Sequence, residues 1–285
     1  MFYSALLGHP VEHSVSPTLF KAFADFAQIE YAHIKVDVKS NKDLKKALSS
    51  LQELNFLGYN ITLPYKLDVI KHLDKLSPDA KKMGAVNTVV IKNNQHIGYN
   101  TDAKGAFLAI EKKLKKIKKE DHILIIGAGG AARAIIYECF KECKNITILN
   151  RSIKEGKLIT DSFSTAKNKI IVEKLTEENI VNGIKNNNII INATSVGMHP
   201  GENEEIVSKK IFNKFETLKN KYFFDAIFNP YKTKFLINAE SKGAKVCSGT
   251  YMMIYQAIYA FKLWTGTDIE NIDIEKINNQ LIEIL

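Results

Sequence analysis

A chain of 285 residues, 45% hydrophobic and 25% charged, is long enough for two α/β domains with real cores and has the balance of a globular enzyme. No apolar run approaches the ~20 residues that span a bilayer, and the first seven residues lack the basic head and cleavage site of a signal peptide, so a cytoplasmic protein is expected. The net charge of +9 is carried by lysines, densest at Lys112, Lys113, Lys115, Lys116, Lys118 and Lys119; without interleaved aromatics or a nucleic-acid motif, this cluster reads as a solvated helix end with a general attraction for anionic ligands, and neither nucleic acid nor a membrane is expected as a partner.

In chain order, residues 2–7 predict a strand ending at Gly8. The loop from His9 to Pro17 then leads into an amphipathic helix carrying Leu19, Phe23, Phe26 and Ala27. Ser16 before Pro17 makes a helix cap with proline in the first turn, and Ser14 lies outside it, available to a ligand. Residues 31–38 alternate as a strand, 42–51 form a helix, and 56–60 form a strand whose exit is Asn60-Ile-Thr-Leu-Pro-Tyr-Lys66. Ligands of open α/β sheets gather at the carboxyl ends of strands, which is where Asn60, Thr62 and Lys66 would stand. Lys66 reads either as a solvated helix-start residue or as a functional amine. Residues 83–91 and 95–102 predict two strands around an Asn93-Asn94 turn. Asp102 opens the next helix, with Asn100 or Thr101 as its cap. A small polyhydroxy acid would need such a set of donors and acceptors as Asn60, Thr62, Lys66, Asn87 and Asp102.

The next stretch, Ile123-Leu-Ile-Ile-Gly-Ala-Gly-Gly-Ala-Ala-Arg133, reads as a buried strand, a tight turn and a helix start. Gly127, Gly129 and Ala132 fit G-x-G-x-x-G/A, in which the second glycine lets a pyrophosphate approach the backbone of a helix N-terminus. A second strand at 145–150 completes a strand–helix–strand unit of about 30 residues. At its end, Asn150-Arg-Ser-Ile-Lys154 carries cations and a hydroxyl but no carboxylate, which suits the 2′-phosphate of NADP better than the ribose of NAD. Strands at 169–172, 188–192, 222–227 and 244–247 extend a doubly wound Rossmann-type sheet, and the turn Asn192-Ala-Thr-Ser-Val-Gly-Met198 is positioned to line the nicotinamide side. Helices follow at 233–242, 251–264 and 274–285. Cys139, Cys143 and Cys247 form neither an even disulfide set nor a metal-spaced group and are expected to be reduced.

These motifs converge. His13-Ser-Val-Ser-Pro17, Asn60-Ile-Thr-Leu-Pro-Tyr-Lys66, Gly84-Ala-Val-Asn-Thr88, Gly98-Tyr-Asn-Thr-Asp102, Gly127-Ala-Gly-Gly-Ala131, Asn150-Arg-Ser152, Asn192-Ala-Thr-Ser195 and the Gln256 helix ending in Leu263-Trp-Thr-Gly266 occur in this order. The sequence resembles the shikimate dehydrogenase family across almost its whole length. The resemblance implies an open α/β substrate domain of residues 1–101 completed by helices in 249–285, an NADP-binding Rossmann-type domain of residues 102–248, and a monomer or homodimer. It implies reversible NADPH-dependent reduction of 3-dehydroshikimate to shikimate, on the route to chorismate and the aromatic amino acids.

By motif position, Ser14 and Ser16 would hold the substrate carboxylate, and Asn60, Thr62, Asn87 and Gln256 its hydroxyls. Lys66 and Asp102 would be the catalytic pair and also touch the substrate: Asp102 would orient the ammonium and bind a hydroxyl, and Lys66 would give a proton in reduction and take one in oxidation. Gly127, Ala128, Gly129, Gly130, Ala131, Asn150, Arg151, Ser152, Lys154, Thr194, Ile227, Phe228 and Gly249 would contact NADP. The chain departs from the family pattern at Phe20-Lys21 (usually His-Asn), Phe228 (usually Tyr) and Tyr251 (usually Gly). A quinate/shikimate dehydrogenase that accepts either substrate or uses NAD, a non-catalytic NADPH-binding or regulatory protein that retains the scaffold and, with least support, a basic nucleic-acid-binding protein are the alternative readings.

Overall fold

Residues 1–163 and 170–285 are described by a computed structural model. They fall into two units: Met1–Thr101 with Gln256–Ile284, and Asp102–Tyr255. The second division lies between Tyr255 and Gln256, inside a helix, rather than at residue 249.

The first unit begins with β1 (Phe2–Gly8), α1 (Ser16–Ala27), β2 (Tyr31–Asp37), α2 (Asn41–Glu53) and β3 (Gly58–Ile61). A 3₁₀ turn at Asp68–His72 leads to β4 (Lys75–Leu76), α3 (Pro78–Met83), β5 (Thr88–Lys92) and β6 (Gln95–Tyr99). Its six-stranded sheet has the order β2-β1-β3-β5-β6-β4, with β1 parallel to β2 and β3, and β5 antiparallel to β3 and β6. Ala5, Leu7, Tyr59, Ile61 and Val89 pack beneath Leu44, Leu48 and Leu51 of α2. Asn93 and Asn94 take φ of 50° and 58°, the left-handed pair that a two-residue hairpin turn requires.

Three local expectations need correcting. Met83 closes α3 instead of opening a strand: the Ser77 hydroxyl caps that helix at the Ala80 N–H, Pro78 follows, and Gly84 stops it at φ 63°. Phe26 is 49% exposed, because α1 buries Leu19, Phe20, Phe23 and Ala24 and leaves Phe26 at the edge of that face. Ser16 is the first helical residue and not its cap; Val15 holds the cap position without a side-chain bond, and the Ser16 N–H donates to Ser14 Oγ at 3.3 Å.

The second unit contains α4 (Asp102–Lys113), β7 (His122–Ile126), α5 (Gly130–Glu142), β8 (Asn145–Asn150), α6 (Ile153–Phe163) and β9 (Ile171–Lys174). It continues with α7 (Glu177–Asn186), β10 (Ile189–Asn192), α8 (Lys209–Phe212), β11 (Tyr222–Asp225), α9 (Lys234–Ser241) and β12 (Lys245–Cys247). The strand predicted over 169–172 starts at Ile171, and Lys169 lies outside the described residues. All six strands are parallel, in the order β12-β11-β10-β7-β8-β9. Along β7, Ile123 and Ile125 join one core while Leu124 and Ile126 join the other, so the strand is apolar at every position because both faces are covered. The three cysteines are buried and free.

The lysine cluster that closes α4 and follows it is only partly a solvated end. Lys115 bonds the buried Asp121 carboxylate, and Lys113 lies 4.4 Å above the Tyr251 ring. Burial alone would raise the Asp121 carboxyl, but Lys115, Asn188 and the Lys118 N–H hold it below the usual range.

The helix α10 (Gly249–Thr265) runs out of the second unit and into the first, followed by α11 (Ile274–Ile282). Its Trp264 indole N–H donates to the Val89 carbonyl at 2.8 Å. A Cβ on Gly58 would lie 2.3 Å from that indole nitrogen, so the strand must be bare there for the ring to seat. Phe20 completes this layer, stacked at 4.3 Å on His33 and 5.3 Å from Trp264. Among the described residues, no helix is long and apolar enough to cross a membrane.

Candidate active site

In the first unit the polar residues singled out from the sequence collect at one end of the sheet. Leu7 of β1 lies opposite Ile61 of β3, and Asn60 of β3 lies opposite Thr88 of β5, which in turn faces Tyr99 of β6. The exits of β1 and β3 are tied together by Thr62 N–H to Leu7 O at 2.9 Å and His9 N–H to Leu63 O at 3.0 Å. Beside them, Asn60 Nδ2 donates to Thr88 Oγ1 at 2.9 Å and to the Asn87 carbonyl at 3.2 Å. Asn87 Nδ2 donates to Thr101 Oγ1 at 3.0 Å, and its Oδ1 accepts from the Thr101 N–H at 2.7 Å. Gln256 Oε1 closes the network, accepting from Thr101 Oγ1 at 3.1 Å and Asn87 Nδ2 at 3.4 Å.

Asn60, Asn87, Thr88 and Thr101 are all buried. A network this enclosed keeps its amides in one orientation, since turning either would strand a buried donor. Thr88 and Thr101 are its members that the sequence did not single out as ligands. Ser14 and Ser16 are half-buried and joined hydroxyl to hydroxyl at 3.0 Å. The half-buried Lys66 is anchored through its carbonyl, which accepts the Val86 N–H at 2.9 Å. Asp102, half-buried, is the first residue of α4 in the second unit.

In the second unit the strand order reverses between β7 and β10, the point where open α/β sheets form a crevice. Gly127 leaves β7 with φ 112°, and a Cβ there would collide with Thr194 Cγ2 at 2.9 Å. At Gly129 and Gly130 a Cβ would meet nothing within 4 Å, so the turn is open where α5 presents its unpaired N–H groups. Ala128 and Ala131 pack against the core on the inner side.

Asn192 and Asp225, closing β10 and β11, organise the facing turns. Asn192 Oδ1 accepts from Thr194 N–H at 3.0 Å and Thr194 Oγ1 at 2.7 Å, while its Nδ2 donates to Asp225 at 3.1 Å. Asp225 also accepts from the Ile227 N–H at 3.0 Å and Thr233 Oγ1 at 2.6 Å. Burial pushes its carboxyl up to about 6, against these three donors. Gly249 sits under the same turn, where a Cβ would lie 2.5 Å from the carbonyls of Ala226 and Ile227. Sequence reasoning missed Asp225, although an acid ending the apolar run Tyr-Phe-Phe-Asp is an available signal.

At the end of β8, Asn150 Nδ2 donates to the Ser152 carbonyl at 2.9 Å and to Glu155 at 3.0 Å. Arg151 and Lys154 are exposed, and Ser152 Oγ accepts the Glu155 N–H at 3.4 Å. A carboxylate therefore does stand at this corner, one residue past the stretch that seemed free of one, and it engages Asn150 instead of facing solvent alone.

Comparison with known proteins places this arrangement. Residues 6–89 match the family model described as "Shikimate dehydrogenase substrate binding domain". Residues 109–230 match "Shikimate / quinate 5-dehydrogenase", and residues 249–270 match "Shikimate 5'-dehydrogenase C-terminal domain". A protein of Methanococcus aeolicus named shikimate dehydrogenase (NADP(+)) is 39% identical over 98% of this chain and 96% of its own.

The chain belongs to the shikimate dehydrogenase family.

Solved shikimate dehydrogenases share its whole architecture. One, in complex with NADP+, is 34% identical with a TM-score of 0.88, covering 99% of this chain and 95% of its own. Another, from Thermus thermophilus in complex with NADP(H) and shikimate, is 29% identical with a TM-score of 0.85 over 100% of both chains. The departures from the shikimate dehydrogenase pattern occupy different environments. Phe20 is part of the aromatic core and Lys21 pairs on the surface with Asp25 at 2.7 Å, so neither joins the polar strand-end row. Phe228 is 38% exposed beside the Ile227 turn. Tyr251 is half-buried in α10, with its phenol pushed up to about 12, chiefly by burial.

Proposed function

We propose that this protein catalyses the reversible, NADPH-dependent reduction of 3-dehydroshikimate to shikimate. The observation that carries the reading is the near full-length match, at 39% identity, to a relative named shikimate dehydrogenase (NADP(+)). NADPH supplies the hydride. The open turn at Gly129 and Gly130, ahead of α5, fits a pyrophosphate, and Gly127, Ala128 and Ala131 shape that turn. Arg151, Ser152 and Lys154, with Asn150, would hold the 2′-phosphate, for which the guanidinium of Arg151 offers paired donors that a lysine lacks. Thr194, Ile227, Phe228 and Gly249 form the nicotinamide side, kept in shape by Asn192 and Asp225.

In this reading the first unit binds the substrate and the second binds NADP. Ser14 and Ser16 hold the substrate carboxylate, while Asn60, Thr62, Asn87 and Gln256 sort its hydroxyls through the locked amide network. Reduction leaves charge on the ketone oxygen, so a proton donor there lowers the barrier by an amount worth about 10²–10⁴-fold. Lys66 is that donor and Asp102 its carboxylate partner. The enzyme works in the cytoplasm as a monomer or homodimer.

The decisive assay follows NADP+ reduction by shikimate. Lys66→Ala and Asp102→Asn should each lower kcat by roughly 10²–10⁴-fold with folding intact; wild-type rates in both variants would remove the pair from the mechanism. One family description also names quinate, so quinate is to be run beside shikimate with NADP+ and NAD+. Equal kcat/KM for the two substrates would favour a quinate/shikimate dehydrogenase.

A further inference from the structure

The edge strand β2 carries a row of side chains that brace the loop holding Ser14 and Ser16. Strand alternation puts His33, Lys35 and Asp37 on one face. The first bonds Ser4 of the neighbouring β1 at 2.6 Å. The other two reach the loop. Lys35 Nζ donates to the Glu12 carbonyl at 2.6 Å and to the Ser14 carbonyl at 3.3 Å, and Asp37 bonds the His9 ring at 2.7 Å. Two residues spaced i, i+2 on a sheet strand thus pin the two ends of the segment from His9 to Ser14.

The pin at Ser14 matters most, because that residue's hydroxyl is already committed to its neighbour. Ser14 Oγ donates to Ser16 Oγ at 3.0 Å and accepts the Ser16 N–H at 3.3 Å, so fixing the Ser14 carbonyl fixes the pair. An ammonium bridging two carbonyls makes charge-assisted bonds, stronger than bonds between neutral groups. Lys35 is exposed, and both carbonyls would find water in its absence, so its removal should loosen the loop without unfolding the unit.

We propose that Lys35 is a positioning residue for the substrate carboxylate: its ammonium holds the Glu12–Ser14 backbone so that the Ser14 and Ser16 hydroxyls are presented together before substrate arrives. This rests on the reading that these serines hold the carboxylate. Preorganisation of this kind removes an ordering cost from binding and leaves the hydride step untouched. Its signature is in KM, not kcat.

The test compares wild type, Lys35→Met, Lys35→Arg and Ser14→Ala in shikimate oxidation, with KM for both substrates, kcat and Tm for each. Loss of the ammonium's bonds to the Glu12 and Ser14 carbonyls should raise KM for shikimate about tenfold in Lys35→Met. KM for NADP+, kcat and Tm should stay at wild-type values, and Lys35→Arg should recover most of the loss. Shikimate methyl ester, which lacks the charge, should lose its disadvantage against shikimate in Lys35→Met. An unchanged KM in Lys35→Met beside a raised one in Ser14→Ala overturns the positioning role while sparing the carboxylate assignment. An unchanged KM in Ser14→Ala overturns the carboxylate assignment and this inference with it. A fall in Tm with both KM values raised would make Lys35 merely structural.

Discussion

Two buried titratable residues pull the pH dependence of stability in opposite directions. Asp225 has its carboxyl raised to about 6 by burial, so the folded protein holds the proton more tightly than the unfolded chain. Its contribution is complete below the ordinary carboxylate range and is lost as the pH rises through about 6, a total of up to about 3 kcal/mol. His33, 6% exposed between Phe20 and Trp264, is pushed down to about 3 by burial and is neutral in the fold. Its contribution is present above about 6.5 and is lost as the pH falls towards 3. Urea unfolding across pH 4–7 should show a shallower rise in stability with pH for His33→Phe than for wild type, and a steeper one for Asp225→Asn. Parallel profiles would mean that neither group's pKa differs between the folded and unfolded states. Arg151 offers a second test at this scale. Arg151→Ala should weaken NADP+ by roughly 10–100-fold and NAD+ by little, because only the former has the phosphate for the guanidinium to grip; equal losses by titration would assign Arg151 elsewhere.

Among the elements, the glycines separate a structural demand from a functional one. A Cβ at Gly249 would strike backbone carbonyls at 2.5 Å, and backbone cannot turn aside as a side chain can. Gly249→Ala should therefore cost about 1–3 kcal/mol or more, read as a lowered Tm. Gly129→Ala meets nothing within 4 Å and should keep its Tm while losing NADP+ affinity. Affinity unchanged in Gly129→Ala would show that nothing approaches the turn. The elements legible in the sequence were those with one dominant signal. The apolar run of β7 needed two covered faces, and the Asn93-Asn94 turn needed left-handed residues. Where signals competed, the β-branched content of 85–91 masked the Ser77-Pro78 start and Gly84 stop of α3. Site residues were legible where a motif names a side chain. The bracing acids, Asp225 and Glu155, were not, because their partners Asn192, Thr233 and Asn150 are brought to them by strand order or by a turn and not by a recognisable spacing.

For the molecule as a whole, cofactor binding should register as stability. A ligand at 100 times its Kd adds about 2.7 kcal/mol, so NADP+ should raise the Tm by several degrees and NAD+ at the same concentration by less; equal shifts would speak against a phosphate-reading corner. The two units also differ in how the chain supplies them. The second is built from one continuous stretch, whereas the first draws on both Met1–Thr101 and Gln256–Ile284, and Trp264 from the later piece seals the face at Gly58 and Val89. On the ribosome, the nucleotide unit has all its strands as soon as β12 has emerged, while the earlier-made sheet waits with an uncovered apolar face. The order of synthesis and the order of completion are thus reversed, and a nascent polypeptide stalled before Trp264 would be the species most in need of a chaperone.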